Sequence, residues 1–392
     1  MDSTTVDLGS RLRVKPIYPR YKLDETHFVV GDQRGLTLDF TDPHGQAWAL
    51  MDLLDGALTV GEAVCALRTR FPQLTTADAL AGVRRFEQLR LLEDSTASRY
   101  DLDTPYCRYV GNVNYFSHFA RASTVRGRVQ DTLCDSTVTL LGLGGGGSTI
   151  LELLSGIGIG TVRAFDYDRV EATNLNRQML FREGDIGCTK VDAARRSIEA
   201  RNSLQQHQFA NRWIDSPETV HDCIAGSGLV ISAIDEPHGQ ILRIVNRACV
   251  ELNIPCVYGG SQTTRGRVFS VLPFMSGCID CMFRHYDSMD PQWARASREF
   301  LRLGIEAPTL AYVPAIMHVC SLVADEAVRI LTGYLPPRSV ATQLEVDFET
   351  GGVDPFLSWD RDEVGCPTCG TGDEETFAAH IGMCPLHETA RT

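Results

Sequence analysis

A glycine-rich loop near the middle of the chain constrains the fold more than any other segment. The loop, GLGGGG at 142–147, overlaps the end of the apolar run VTLLGLG at 138–144. An apolar helical pattern follows it at 148–156. Glycines at such a junction permit a tight strand-to-helix turn, and they let backbone N–H groups approach an anion at the helix N-terminus. The segment therefore predicts a nucleotide-binding loop within an α/β fold.

Three further apolar runs have the composition of buried strands: TVRAFDYD at 161–168, GLVISAID at 228–235 and PCVYGG at 255–260. Helical patterns occupy the intervals at 189–203 and 238–252. Strands that alternate with helices predict a Rossmann-like, doubly wound and mostly parallel sheet.

Polar residues at the predicted strand and helix ends complete a candidate nucleotide site. Asp166, at the end of the second strand, can accept hydrogen bonds from ribose hydroxyls, although a glycine loop with this carboxylate would equally fit an NAD dehydrogenase. The side chains that follow supply more cationic and amide donors than a pyrophosphate bridge usually needs. They therefore favour a triphosphate as the ligand. Asp235, at the end of the third strand, could hold Mg²⁺. The candidate residues are Gly142, Gly144, Gly145, Gly147, Asp166, Asp168, Asn174, Arg177, Gln178, Lys190 and Asp235.

Two CxxC pairs predict a metal site. Cys278 and Cys281 form the first pair, and Cys366 and Cys369 form the second. Four thiolates are enough to close a tetrahedral Zn²⁺ site with no open position, so the metal would be structural. Redox-active pairs or free thiols are the alternative interpretations.

The order of these motifs resembles the ubiquitin-activating-enzyme superfamily in its small bacterial form, the ThiF/MoeB/HesA group. The resemblance covers roughly residues 107–370, and it implies that ATP and magnesium bind at Gly145, Asp166, Asn174, Arg177, Lys190 and Asp235. It also implies adenylation of a carboxylate with release of pyrophosphate, and a zinc ion that joins the C-terminal tail to the catalytic domain. Arg177, Lys190 and Asp235 are then the expected catalytic residues, the first two stabilising charge on the α-phosphate.

The segment after the first cysteine pair lacks a nucleophile that many members of this superfamily use. They pass the acyl group to a cysteine in a crossover loop, here residues 282–312, which contain no cysteine. Cys320 lies in an apolar helical run and is expected to be a buried core thiol. We therefore expect direct attack on the adenylate rather than a thioester.

A second departure concerns an arginine that family members donate across a homodimer. Gly111, in RYVGN at 108–112, stands where that arginine would be. Arg121 or Arg126 could replace it. The expected homodimer rests on the resemblance alone.

Residues 1–95 predict a separate, small α+β domain. Three extended segments within 12–41 precede three helical patterns within 44–92. This arrangement is winged-helix-like. A polar stretch at 96–106 predicts a linker, and residues 107–392 then form the adenylation domain.

This front domain resembles the PqqD-like element that binds the leader of ribosomally made peptides as an added strand. The strand around Leu36–Thr41 and the helix around Ala77–Leu91 would form its groove. A dimerisation or stabilising appendage is one alternative. DNA binding is another, but the domain shows no basic recognition helix.

Composition narrows the remaining function classes. The chain has 392 residues, 43% of them hydrophobic, and a formal net charge of −13, so two domains are expected and a general nucleic-acid binder is not. It contains no apolar run of about 18 residues and no secretory-type N-terminus. A cytoplasmic protein without a membrane partner is the expectation.

These patterns together predict an ATP-dependent enzyme that adenylates a carboxylate or carboxamide on a ribosomally synthesised precursor peptide. Cyclisation, dehydration or nucleotidyl conjugation would follow, as in peptide-modifying enzymes of the microcin C and pantocin type. One alternative is adenylation of the C-terminal glycine of a ubiquitin-like sulfur-carrier protein. Another is a non-catalytic leader-presenting scaffold, which has no need of Arg177 or Lys190.

Overall fold

The computed structural model describes residues 7–95, 99–303, 310–383 and 385–386. The chain divides into two compact units, Met1–Asp131 and Thr132–Thr392. Among the described helices, none is long and apolar enough to cross a membrane.

The first unit combines short strands with a small group of helices. Its elements are β1 (Leu12–Val14), β2 (Arg20–Lys22), β3 (His27–Val30), β4 (Leu38–Thr41), α1 (Gln46–Leu53), α2 (Val60–Arg70), α3 (Thr76–Gln88), β5 (Leu92–Asp94) and α4 (Val110–Ser117), and α5 (Arg128–Asp135) crosses its end. Strands β2, β3 and β4 form an antiparallel sheet in that order, and β1 pairs antiparallel with β5. One core joins them, with Leu12, Phe28, Met51 and Val83 among its buried residues.

The three predicted helices of this unit are confirmed, whereas the first predicted extended segment is divided into β1 and β2. Pro16 and Pro19 lie between these two strands. Proline lacks the N–H group that a strand ladder needs, so a continuous strand across this segment is excluded.

Two buried charged side chains attach a later segment to this core. Lys15 is fully buried, and its Nζ donates to the carbonyl oxygen of Ala120 at 2.8 Å. The buried Glu87 carboxylate accepts from the backbone N–H of Ala122 at 3.0 Å. Each buried charge therefore has a backbone partner, as its removal from water requires.

The boundary between the two units follows from these contacts. Residues 99–131 group with the first unit, although the sequence assigns most of them to the adenylation domain. The division thus lies after this segment and not at the linker predicted at 96–106. Residues 96–98 of that stretch lie outside the described residues.

Burial lowers the pKa of the Lys15 ammonium from 10.5 to about 8. Between these values the unfolded chain binds a proton at Lys15 that the folded chain has largely released, so folding becomes more favourable as the pH rises. We expect the melting temperature of the wild type to rise relative to that of Lys15→Met between about pH 8 and about pH 10. Lys22→Met, at an exposed lysine, should keep the wild-type pH dependence. A constant difference between wild type and Lys15→Met would contradict the buried ammonium.

The second unit is built on one eight-stranded sheet. Its elements are β6 (Thr137–Leu141), α6 (Gly145–Ile157), β7 (Thr161–Asp166), α7 (Lys190–Arg201), β8 (Gln206–Asn211), α8 (Pro217–Ile224), β9 (Leu229–Ser232), α9 (Ile241–Glu251), β10 (Cys256–Gln262), β11 (Arg265–Val271), α10 (Ile279–Met289), α11 (Pro291–Leu303), α12 (Val313–Thr332), β12 (Thr342–Asp347), β13 (Val353–Ser358) and α13 (Glu374–Ile381). The strand order is β13-β12-β11-β10-β9-β6-β7-β8. Strands β10, β9, β6, β7 and β8 run parallel, which confirms the predicted fold class.

The first strand of this sheet, β6, marks the position of the candidate site. The chain adds β7 and β8 on one side of β6 and then β9 and β10 on the other side. In open sheets of this kind, ligands bind outside the carboxyl ends of the strands where the order reverses. The ends of β6 and β9 therefore flank the expected crevice.

Candidate active site

The glycine loop excludes side chains because the backbone folds tightly on itself. A Cβ on Gly147 would lie 2.0 Å from the carbonyl oxygen of Gly142, and Gly142 itself has φ +92°. A Cβ on Gly142 would lie 2.6 Å from the carbonyl oxygen of Ala233, just after β9. Helix α6 begins directly after Gly144 without a side-chain cap, so its first N–H groups can meet an anion.

Asp166 attaches this loop to the neighbouring strand. Its Oδ2 accepts from the backbone N–H of Leu143 at 2.6 Å, and its Oδ1 accepts from that of Asp168 at 2.8 Å. The carboxyl group is buried, and burial raises its pKa. Each carboxylate oxygen has a second acceptor position, so ribose hydroxyls can still donate to Asp166.

Lys190 and Asp168 form an ion pair beside this carboxylate. The Nζ of Lys190 lies 2.7 Å from Oδ2 of Asp168, and the lysine side chain is 6% exposed. The backbone N–H of Lys190 also donates to the carbonyl oxygen of Asp168. Thr189 caps α7, so the lysine is fixed at the first residue of that helix.

Arg177 lies against the start of α6. Its Cγ and Cδ lie 3.4 Å from the position of a Cβ on Gly145, and its Nη1 donates to the carbonyl oxygen of Thr173 at 2.8 Å. The structure therefore places the aliphatic part of Arg177 beside the glycine loop and Lys190 beside Asp168. The predicted roles of these residues at a nucleotide stay predictions.

Asn174 and Gln178 support the turn that carries this arginine. Both are buried, and the Asn174 Oδ1 accepts from the backbone N–H of Glu171 at 3.0 Å. The amide oxygen of Gln178 has no hydrogen-bond partner among the described residues. Their predicted contact with the nucleotide stays a prediction.

Asp235 lies in the loop after β9, and its side chain is exposed. Two residues earlier, Ala233 packs against Gly142, which places this loop at the edge of the glycine loop. An exposed carboxylate beside a phosphate site has the chemistry that Mg²⁺ prefers.

The four cysteines of the two CxxC pairs meet in a buried cluster. The Sγ atoms all lie within 4.8 Å of one another, and Cys278 and Cys366 approach to 3.5 Å. Cys281 and Cys369 approach to 3.4 Å. A disulfide requires about 2.05 Å, whereas tetrahedral Zn²⁺ with Zn–S bonds of about 2.3 Å requires sulfur atoms about 3.8 Å apart. The donor set and its spacing therefore fit Zn²⁺.

A buried ion network lies beside this cluster, and the sequence analysis did not single it out. Arg243 of α9 is fully buried, with its Nε 2.8 Å from Asp280 in the first CxxC pair. Its Nη2 lies 2.8 Å from Glu374 of α13, and Arg247 lies 2.6 Å from the same carboxylate. The network joins α9, the first cysteine pair and the C-terminal helix.

The ThiF family model matches residues 115–368, which is more than half of the chain. The chain belongs to the ThiF family. This result confirms the predicted ThiF/MoeB resemblance, while the PqqD-like element stays a prediction.

Curated relatives of this ThiF-family chain are adenylyltransferases. The sulfur carrier protein ThiS adenylyltransferase of Escherichia coli (strain K12) is 28% identical over 244 residues, which cover 62% of this chain and 88% of the relative. The molybdopterin-synthase adenylyltransferase of the same organism is 29% identical over 212 residues, or 54% and 78% of the two chains. The ThiF-family chain is thus an ATP-dependent adenylyltransferase of the ThiF/MoeB class.

Solved structures share its fold over a longer part of the chain. Escherichia coli MccB with succinimide has a TM-score of 0.72 at 19% identity and covers 92% of this chain and 99% of its own. MccB with AMPCPP and MccA gives the same values. PaaA has a TM-score of 0.68 at 20% identity, with 88% and 100% covered.

Two parts of this ThiF-family chain bear on the predicted absence of a thiol relay. Residues 282–312 contain no cysteine; of these, 304–309 lie outside the described residues. Cys320 is buried, as predicted, with its Sγ 3.4 Å from the carbonyl oxygen of Gly146. Burial raises its pKa to about 12, so its reactive thiolate form is disfavoured.

We expect the ThiF-family chain, purified without chelator, to contain about one Zn²⁺. Cys369→Ser removes one of four thiolates, so both the metal content and the melting temperature should fall. Cys65→Ser, at an exposed cysteine on α2, should change neither. Metal analysis with well under one Zn²⁺ per wild-type chain would contradict the Cys₄ assignment.

Proposed function

We propose that this chain adenylates a carboxylate or carboxamide of a ribosomally synthesised precursor peptide, using ATP and Mg²⁺, and that its first unit binds the peptide's leader. The observation that carries the proposal is the part of the first unit at residues 7–95, which lies outside the ThiF match at 115–368. Structures of MccB, several of them with MccA, match the fold over 92% of this chain. The sequence alignment with the sulfur-carrier relative covers 62% of it.

The edge of the small sheet supports leader binding. Among the described strands, β4 pairs with β3 on one side only, so its other edge is open to an added strand. Phe40 of β4 packs edge-to-face on Phe86 of α3, with ring centroids 6.0 Å apart. An extended peptide beside β4 would therefore be flanked by α3, as predicted for Leu36–Thr41 and Ala77–Leu91.

The proposed chemistry is in-line attack on ATP. A substrate oxygen bonds to the α-phosphorus, the bond from that phosphorus to the bridging oxygen of the β-phosphate breaks, and pyrophosphate leaves. Arg177, Lys190 and the uncapped N-terminus of α6 supply positive charge where negative charge develops. Asp235 would hold Mg²⁺, which neutralises phosphate charge.

The fate of the adenylate follows from the thiols. Because the crossover segment contains no cysteine and Cys320 is buried with a raised pKa, an amine, amide or backbone nitrogen of the peptide would attack the adenylate. If that nitrogen attacks the activated carbon, a C–N bond forms and AMP leaves. If it attacks phosphorus, a P–N bond forms, the bond from phosphorus to the activated oxygen breaks, and the freed carboxylate leaves the nucleotide on the nitrogen.

The curated relatives favour a second candidate function, adenylation of the C-terminal glycine of a sulfur-carrier protein. That function gives no role to residues 7–95, which precede the ThiF match. The two candidate functions therefore differ in their substrate. Only the peptide substrate would need the leader-binding part of the first unit.

We expect pyrophosphate release when the chain is incubated with ATP, Mg²⁺ and a short precursor peptide encoded beside its gene, together with a change in peptide mass. Removing the leader from the peptide should raise the KM strongly, because the open edge of β4 then has no occupant. Pyrophosphate release with a carrier protein ending in Gly-Gly, and none with the peptide, would favour the second function.

Lys190→Ala should lower the rate of pyrophosphate release about 10²- to 10³-fold, because it removes a buried cation from the phosphate site. Arg201→Ala is the control, since this exposed residue ends the same helix and pairs only with Glu152 at 3.2 Å among the contacts described. A full rate in Lys190→Ala would support the scaffold interpretation instead.

The two candidates for the missing upstream arginine have different surroundings. Arg126 pairs with Asp101 at 3.4 Å and lies 3.6 Å from Glu93, with an 11% exposed side chain. Arg121 is exposed, and the groups on either side of it, at Ala120 and Ala122, are held by buried charges. Arg121 is therefore presented to solvent on a fixed backbone.

We expect Arg121→Ala to lower the rate of pyrophosphate release without changing the melting temperature. Arg126→Ala should lower the melting temperature, because it leaves Glu93 and Asp101 without this partner. The measurements are a pyrophosphate assay and differential scanning calorimetry. Wild-type rates in Arg121→Ala would show that this arginine has no role at the phosphates.

A further inference from the structure

An exposed aromatic pair lies beside the candidate nucleotide crevice. Tyr167 directly follows Asp166 at the end of β7, and Trp213 follows the end of β8. Their ring centroids are 4.3 Å apart at an interplanar angle of 86°. The residues are 43% and 40% exposed, respectively.

The tyrosine of this pair is held in place although it is exposed. The hydroxyl of Tyr167 donates to Oε2 of Glu236 at 2.7 Å, and the carbonyl oxygen of Tyr167 accepts from Nδ2 of Asn211 at 3.2 Å. The backbone N–H of Arg212 donates to the carbonyl oxygen of Asp166 at 3.2 Å. Contacts from the end of β8 and from the loop after β9 thus fix a tyrosine whose ring remains accessible.

Aromatic rings at this position can stack against a nucleotide base. In an edge-to-face pair, one ring presents its edge to the other, so aromatic faces remain available for stacking. Stacking a base on an aromatic side chain tightens binding by about 5- to 150-fold. Because Tyr167 is the next residue after the carboxylate expected to bind ribose, a base attached to that ribose comes within reach of the pair.

The distribution of charge gives the nucleotide one orientation. The cation Arg177 lies at the glycine-loop end, whereas the aromatic pair is bordered by the Glu236 carboxylate. Phosphates are attracted to the first end and repelled from the second. The uncharged base is the part of ATP that suits the aromatic end.

We propose that Tyr167 and Trp213 form the platform on which the ATP base stacks, and that Glu236 is a positioning residue that fixes the tyrosine ring. This inference rests on the proposed ATP-dependent function and adds its base-binding residues. Stacking tolerates any base with an aromatic face, so the platform supplies affinity rather than strict base selectivity.

The test compares ATP with inorganic tripolyphosphate, which has the phosphates but no base. Binding of each, with Mg²⁺, is measured by calorimetry on the full chain. Trp213→Ala should weaken ATP binding about tenfold and leave tripolyphosphate binding unchanged. Trp213→Phe keeps an aromatic ring and should stay within about threefold of the wild type, which separates stacking from misfolding.

Tyr167→Phe keeps the ring and removes the bond to Glu236, so ATP binding should weaken about two- to threefold, and Glu236→Ala should match it. Phe356→Ala is the control, because this exposed aromatic lies on β13 at the far edge of the same sheet. It should change neither ligand's affinity.

The possible failures are distinguishable. Equal ATP affinity in the wild type and Trp213→Ala would overturn the platform while the proposed function stands. Equal losses of ATP and tripolyphosphate would also overturn it, because the residue would then act on the phosphates or the fold. A wild type that binds no ATP would overturn both proposals.

Discussion

The hydrogen bonds of the buried Asp166 carboxylate determine the arrangement of the candidate active site. One oxygen binds the backbone of Leu143 in the glycine loop, and the other binds the backbone of Asp168. Asp168 in turn pairs with Lys190 at the start of α7. A single side chain therefore sets the distance between a helix N-terminus and a buried cation, the two sources of positive charge that phosphates need. Replacing it would disturb both together, so the effects of Asp166 and Lys190 substitutions should not be additive.

A second set of constraints is the cysteine cluster and the Arg243 network, which hold the end of the chain. Removing one partner of such a network leaves a buried charge without compensation, which costs about 3–5 kcal/mol in known cases. The four thiolates and the ion network act on neighbouring segments, because Asp280 lies between Cys278 and Cys281. Metal affinity and packing of α13 are therefore expected to depend on each other.

The sequence predicted features that depend on local patterns, and it missed those that depend on distant contacts. The glycine loop, the parallel sheet and the position of Lys190 at the start of a helix follow from spacing and strand ends. The boundary after Asp131 depends on Lys15 meeting Ala120 and Glu87 meeting Ala122, and these pairs are far apart in the chain. Arg243 shows no local signal because it is one arginine in an amphipathic helix. Tyr167 and Trp213 are likewise unremarkable until β7 and β8 bring them together.

The open edge of β4 has a consequence for the protein when no peptide is present. A strand edge that is open to a leader peptide offers the same hydrogen-bonding groups to any extended chain, including the β4 strand of a second copy of this protein. Such edges are common starting points of aggregation. Two features limit this hazard. The strand is four residues long, and Asp39 points outward from it, so a second copy would bring two like charges together. The charge of Asp39 would also affect which peptides bind at this edge. A peptide with an acidic residue opposite Asp39 would be disfavoured by the same repulsion.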